Sequence, residues 1–120
     1  METEQKPDLE LKHLPYYIGT QQYYNVFGVH VTEGVKYLMD NGYAWFVTDT
    51  IAVIKCVPKV RKEPFLSVKL KLNREKAHAD LIIEDGNYNE LYRQHYNFTD
   101  AKKDLKLFCT DNVLMLNTEY

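Results

Sequence analysis

The chain has 120 residues, 45% hydrophobic and 27% charged, with a formal net charge of −2. That length supports one domain with one modest core, and the composition excludes a chain disordered throughout. The near-neutral balance provides no whole-molecule field to attract nucleic acid or an anionic membrane.

Ten residues are tyrosine, against five phenylalanines and one tryptophan. Tyrosine is apolar on its faces and polar at its tip, so the chain has many half-wet aromatic edges to place. Charge is segregated along the sequence. Residues 1–54 carry net −4, residues 55–76 net +6 and residues 77–120 net −4. The N-terminal METEQKPDLELKHL has neither a basic nor an apolar signal-peptide region. No run reaches the ~18 apolar residues of a membrane helix, so a cytoplasmic protein without membrane contact is expected. Cys56 and Cys109 are distant and flanked by apolar residues, as expected of two buried free thiols rather than a disulfide framework.

Residues 1–12 read as a flexible arm and residues 13–120 as a single α+β domain. Thr20 is a candidate N-cap for a helix over Gln21 to Val26 or Phe27, with Tyr23, Tyr24 and Phe27 on one flank. Thr32 and Glu33 open a second helix, with Val31, Val35, Leu38 and Met39 lining one face. Asn41-Gly42 stops it with a left-handed position. Ala44, Val47, Ile51 and Ile54 form a helical stripe, so residues 43–57 are expected to be a mostly buried helix. The β-branched content leaves a strand over Tyr43–Val47, before a shorter helix, as the alternative.

Pro58 to Pro64 is a basic loop. The period then changes to two. Leu66, Val68, Leu70 and Leu72 alternate with Ser67, Lys69 and Lys71, the clearest strand in the chain. Residues 77–84 alternate likewise. Asp85-Gly86 signals a hairpin turn, and residues 88–98 return as a strand. Thr99 to Asp104 is a short helical turn. Leu105–Cys109 and Val113–Leu116 form a last hairpin about Asp111-Asn112. The expected architecture is α+β, with N-terminal helices packed on one face of a C-terminal antiparallel sheet.

Chemistry-bearing patterns are sparse. His13, His30, His78 and His95 lack metal-motif spacing, although His78 and His95 approach diagonally across a hairpin with Asp80 on the same face. No metal or cofactor is expected. Ser67 has no nucleophile elbow, and Cys109 has no base or helix N-terminus to activate it. Glu33 and Asp85 serve a helix start and a turn. Asp49 interrupts the most apolar stretch, where a carboxylate must be bonded or paired if buried. No phosphate-binding loop is present.

Two surface features remain. Tyr16, Tyr17, Tyr23 and Tyr24 crowd one short segment, which suits a protein–protein interface core. Lys55, Lys59, Arg61, Lys62, Lys69, Lys71, Arg74 and Lys76 form the basic segment, which suits phosphate contact beside stacking rings.

Several strings carry a resemblance: Gly19-Thr20-Gln21-Gln22-Tyr23-Tyr24, Thr32-Glu33-Gly34-Val35-Lys36-Tyr37-Leu38, Glu84-Asp85-Gly86-Asn87, Phe98-Thr99-Asp100 and Thr118-Glu119-Tyr120. Their order over residues 15–120 resembles a family of small stand-alone bacterial proteins of unknown function. The resemblance implies a bacterial, intracellular, single-domain protein and carries over no catalytic residue. The residues and the resemblance together favour a non-catalytic protein that binds another protein or forms a homodimer through the tyrosine segment. The alternatives are a nucleic-acid-binding protein using residues 55–76 and a small enzyme with a pocket near Asp49 or His95.

Overall fold

A computed structural model describes residues 7–120. The chain opens with a 3₁₀ turn, Leu14–Tyr16, and two strands, β1 (Tyr23–Val26) and β2 (Val29–Thr32). One helical segment follows: α1 (Glu33–Leu38), a kink, α2 (Ala44–Cys56) and the short α3 (Pro58–Arg61). The remaining strands are β3 (Phe65–Asn73), β4 (His78–Asp85), β5 (Glu90–Tyr96), β6 (Leu105–Thr110) and β7 (Val113–Leu116), with a closing 3₁₀ turn at Asn117–Glu119. All seven strands join one sheet in the order β1-β2-β7-β6-β3-β4-β5. Every neighbouring pair is antiparallel except β2 with β7.

The class is α+β, but the expected arrangement needs correction. The helices are not an N-terminal layer preceding the sheet. The segment read as a first helix, Gln21 to Phe27, is instead strand β1 and the turn leading to β2. Val26 pairs with Val29, leaving a two-residue turn at Phe27-Gly28 with φ of +50° and +87°. Positive φ at both positions is what a tight I′ hairpin requires, and Gly28 takes it without a Cβ penalty.

The second helix begins as expected. Thr32 Oγ1 accepts from Val35 N, capping α1. Gly42 at φ +96° makes the kink after α1. The stripe read in residues 43–57 is helix α2, with no strand before it. Phe46, Val47, Thr50, Ile51 and Val53 are all buried there. The β-branched Thr50 is tolerated inside because its hydroxyl donates to Phe46 O at 2.8 Å. The basic loop contains α3, whose Val60 enters the core.

The inner face of the sheet meets this helical segment. Leu66, Val68 and Leu70 of β3, Ala79, Leu81 and Ile83 of β4 and Leu105, Leu107 and Cys109 of β6 join Val35, Leu38, Phe46, Val47 and Ile51 in one core. On β5 the inner positions fall to Tyr92, Gln94 and Tyr96, opposite Ile83, Leu81 and Ala79. The β4–β5 connection is longer than a two-residue turn. Glu84 pairs with Glu90, so residues 86–89 connect the two strands and His95 lies opposite Asp80.

Part of the expected arm is also anchored. Leu11 is fully buried and Leu9 packs on the core. Residues 1–6 lie outside the described residues. Buried Tyr43 ties this stretch down: its hydroxyl donates to Leu9 O at 2.7 Å and accepts from Lys102 N at 3.0 Å. One phenol therefore clasps the N-terminal segment and the β5–β6 loop across the start of α2. Tyr43→Phe strands two backbone groups and is expected to destabilise the protein by about 1–3 kcal/mol in urea unfolding.

Asp85 closes the β4–β5 loop. Its carboxylate accepts from Asn87 N, Asn89 N and Asn89 Nδ2 at 2.8–3.0 Å. The Asn89 side-chain bond leads these in holding the carboxyl below its ordinary value of 3.8. The stabilisation is therefore complete above that value and is lost as pH falls towards the lower native one. The melting temperature is expected to drop on acidification below about pH 4, and Asp85→Ala should flatten part of that drop in a calorimetric pH series.

Candidate functional site

The sheet has two outer strands, and they differ in chemistry. β5 carries Glu90 and Arg93, joined at 2.8 Å, with Arg93 also reaching Asp80 at 3.2 Å. Charges of this kind guard an edge against pairing with another chain. β1 has no such guard. From Leu14 to Thr32 the chain contains no Asp, Glu, Lys or Arg. Large apolar side chains project from this stretch: Tyr16 is 77% exposed, Ile18 76%, Tyr23 56% and Phe27 73%.

The hairpin geometry fixes which groups face out. Hydrogen-bonded and open pairs alternate along an antiparallel ladder. Starting from the Val26–Val29 pair beside the turn, the N–H and C=O of Tyr23 and Asn25 are the ones directed away from β2. The strand's period of two also separates the tyrosines. Tyr23 and Asn25 share the outer face of the sheet, while Tyr24 and Val26 turn inward. Tyr24 lies opposite buried Val31. Tyr17 is likewise half-buried, its ring 5.0 Å from that of Tyr37 on α1. The four tyrosines singled out from sequence thus divide into an outward pair, Tyr16 and Tyr23, and an inward pair, Tyr17 and Tyr24.

The basic segment is not one patch. Lys59, Arg61 and Lys62 lie on or just after α3, before β3. Arg74 and Lys76 lie beyond its far end. Nine residues of strand separate the groups by roughly 30 Å. Between them Lys69 is paired with Glu84 at 2.9 Å, and at the far end Arg74 donates to Lys102 O at 3.0 Å. Lys69 and Lys71 instead line a groove of about 480 Å³, with Lys103, Lys106 and the apolar Leu14, Leu70, Leu105 and Leu116.

The candidate catalytic groups are occupied structurally. Half-buried Asp49 accepts from Tyr96 Oη at 2.6 Å, and burial followed by this carboxylate pushes the Tyr96 phenol well up. His95 Nδ1 lies 2.7 Å from Asp80 Oδ1 and its ring meets His78 at 4.9 Å. The diagonal approach of His78 and His95 is therefore real, although the register that produces it differs from a two-residue turn. No group of three metal-ligating side chains forms among the described residues. Ser67 is buried on β3. No helix among the described residues is long and apolar enough to cross a membrane.

The thiols differ from each other. Cys109 is buried as expected, and burial pushes its thiol up to about 11. Cys56, at the end of α2, is exposed, which corrects the expectation of two buried thiols. Cys56 lies two residues past Ile54, the last position of the stripe, which on a helix is the opposite side.

A mixed seven-stranded sheet, one kinked helical segment and an unguarded aromatic edge define a small α+β domain whose distinguishing surface is that edge. Residues 8–120 match a family of unknown function, DUF6876, and the chain belongs to that family. Comparison with curated proteins and with solved structures gives no match.

The thiol contrast gives a direct check on the packing. One thiol per chain is expected to react with a disulfide reagent in native buffer near neutral pH, and a second only after unfolding. Mass spectrometry should place the native label on Cys56.

Proposed function

We propose that the protein is a non-catalytic interaction module that self-associates through β1. The observation that carries this reading is the uncharged aromatic edge, set against the charged edge at β5. Two copies of β1 placed antiparallel about a two-fold axis satisfy each other's outward backbone groups at Tyr23 and Asn25. Tyr23 and Phe27, with Ile18 and Tyr16 beside them, supply the apolar area that such an edge contact needs. A second copy suits the edge because the Leu14–Thr32 segment of neither copy brings a charged side chain that the other must match. The segmented basic residues and the bonded states of Asp49 and His95 give the nucleic-acid and enzyme readings less support.

The test is sedimentation equilibrium across the micromolar range. A dimer is expected, and Tyr23→Lys, which places a charge on the edge without touching the core, should weaken association by roughly tenfold or more. Circular dichroism of that variant should match the parent. A parent that stays monomeric, or a Tyr23→Lys protein that dimerises equally well, overturns the proposal.

A further inference from the structure

The inward tyrosines line a separate feature. Between the inner side of β1, the outer side of α1 and the N-terminal segment lies an open cleft of about 570 Å³. The rings of Tyr17 and Tyr37, tilted by 30° at 5.0 Å, contribute to one part of its lining, and Tyr24 to another. Asp8, Glu33 and Asp40 add three carboxyl groups, and among the described residues Lys36 and His13 are the basic side chains that face them.

The Lys36 cation shows what the lining favours. Lys36 Nζ stands 5.6 Å from the centre of the Tyr24 ring while bonded to Asp40 at 2.7 Å. The cleft therefore already holds an ammonium group from its own chain, between an aromatic face and a carboxylate. A ring face attracts cations through its quadrupole, and the attraction grows as water is excluded. The Tyr17 phenol sits in the same field: burial first, then Tyr37, Glu33 and Asp40, raise its pKa and so disfavour its ionisation.

The walls are held in place before any ligand arrives. Asn41 Oδ1 accepts from Asp8 N at 2.9 Å, and Asn41 Nδ2 donates to Tyr37 O at 2.8 Å. Tyr37 Oη accepts from His13 N at 3.1 Å. The tether that occupies the cleft is weak by comparison. Lys36 and Asp40 are an i, i+4 surface pair, a class that opens readily. A cation that sheds its water more easily than a primary ammonium can take the Tyr24 face from Lys36.

We propose that this cleft binds an N-methylated ammonium group, with Tyr17, Tyr24 and Tyr37 as its aromatic lining and Asp40 and Glu33 as counter-charges. The group has two sources, a methylated lysine side chain of another protein or a free quaternary amine. The site is independent of the β1 edge contact, because it uses the tyrosines that turn away from that edge.

The experiment is calorimetric titration of the full chain with choline, with its neutral isostere 3,3-dimethyl-1-butanol, and with a short peptide containing trimethyl-lysine. Choline and the peptide are expected to bind and the isostere not to. Whichever of the two binds more tightly identifies the source. Tyr24→Leu keeps the apolar volume but removes the ring face, and should weaken both by about fivefold or more. Lys36→Ala removes the internal competitor and should tighten both. Asp40→Asn, at an exposed position, checks the charge contribution in a variant that folds irrespective of the fate of Tyr24→Leu, and should weaken both. Equal binding of choline and its isostere, no binding of either cation, or affinities unmoved by both Tyr24→Leu and Asp40→Asn would overturn the proposal.

Discussion

The parallel pairing of β2 with β7 is the contact on which the rest of the architecture depends. It is short, with His30 opposite Val113 and Val31 opposite Leu114. Without it, β1 and β2 are an isolated hairpin, which has marginal stability in water. The pairing is reinforced on both sides. His30 N donates to Asn112 O, and Asn112 Nδ2 donates to Gly28 O at 2.8 Å. At the other end Glu119 accepts from Thr32 Oγ1 at 2.6 Å and from Gly34 N at 3.3 Å. A carboxylate at the first turn of α1 also suits the helix dipole. Gly34 is required there, since a Cβ would overlap Leu116. One junction thus fixes the direction of α1, and with it both the outer edge and the cleft behind it.

The legibility of the sequence follows the range of the contacts. β3 was readable because its alternation is expressed within nine residues, and the observed inner positions Leu66, Val68 and Leu70 follow that alternation. α2 was readable because its stripe is local and helical contacts recur every turn. β1 was not. Thr20 has the chemistry of an N-cap, yet here its hydroxyl donates to Gln22 O and accepts from Glu33 N. The turn that converts the segment into a hairpin places Phe27 at positive φ, a position where only Gly28 gave a signal. A four-residue strand whose hairpin is anchored by chain about 80 residues away leaves almost no local trace. The candidate tyrosines were visible as a cluster. Their division into two sets was not, because it rests on strand periodicity that a helical reading replaces.

The tyrosine excess therefore has three structural destinations. Tyr43, Tyr92 and Tyr96 sit in the seam between helix and sheet, Tyr96 with its ring 5.0 Å from Trp45. Their hydroxyls reach a backbone carbonyl, a side-chain amide or a carboxylate, so the seam carries polar ties that phenylalanine could not supply. Tyr17, Tyr24 and Tyr37 line a cleft. Tyr16, Tyr23, Tyr88 and Tyr120 are exposed, with Tyr120 packed edge-on against Phe65 and Phe108 of the outer sheet face. The same side chain serves all three because its apolar body and polar tip can be used separately.

The order of the strands also sets a timetable. Val31 must wait for Leu114, 83 residues further along the chain, before β2 gains its second neighbour. At about 5–20 residues per second, translation leaves the β1–β2 hairpin without that neighbour for roughly 4–17 s. During that interval both sides of the hairpin are open, and neither carries a Lys, Arg, Asp or Glu to repel a neighbouring nascent chain. The β1 edge is therefore complete only once β7 has been made, because the hairpin alone is marginal in water.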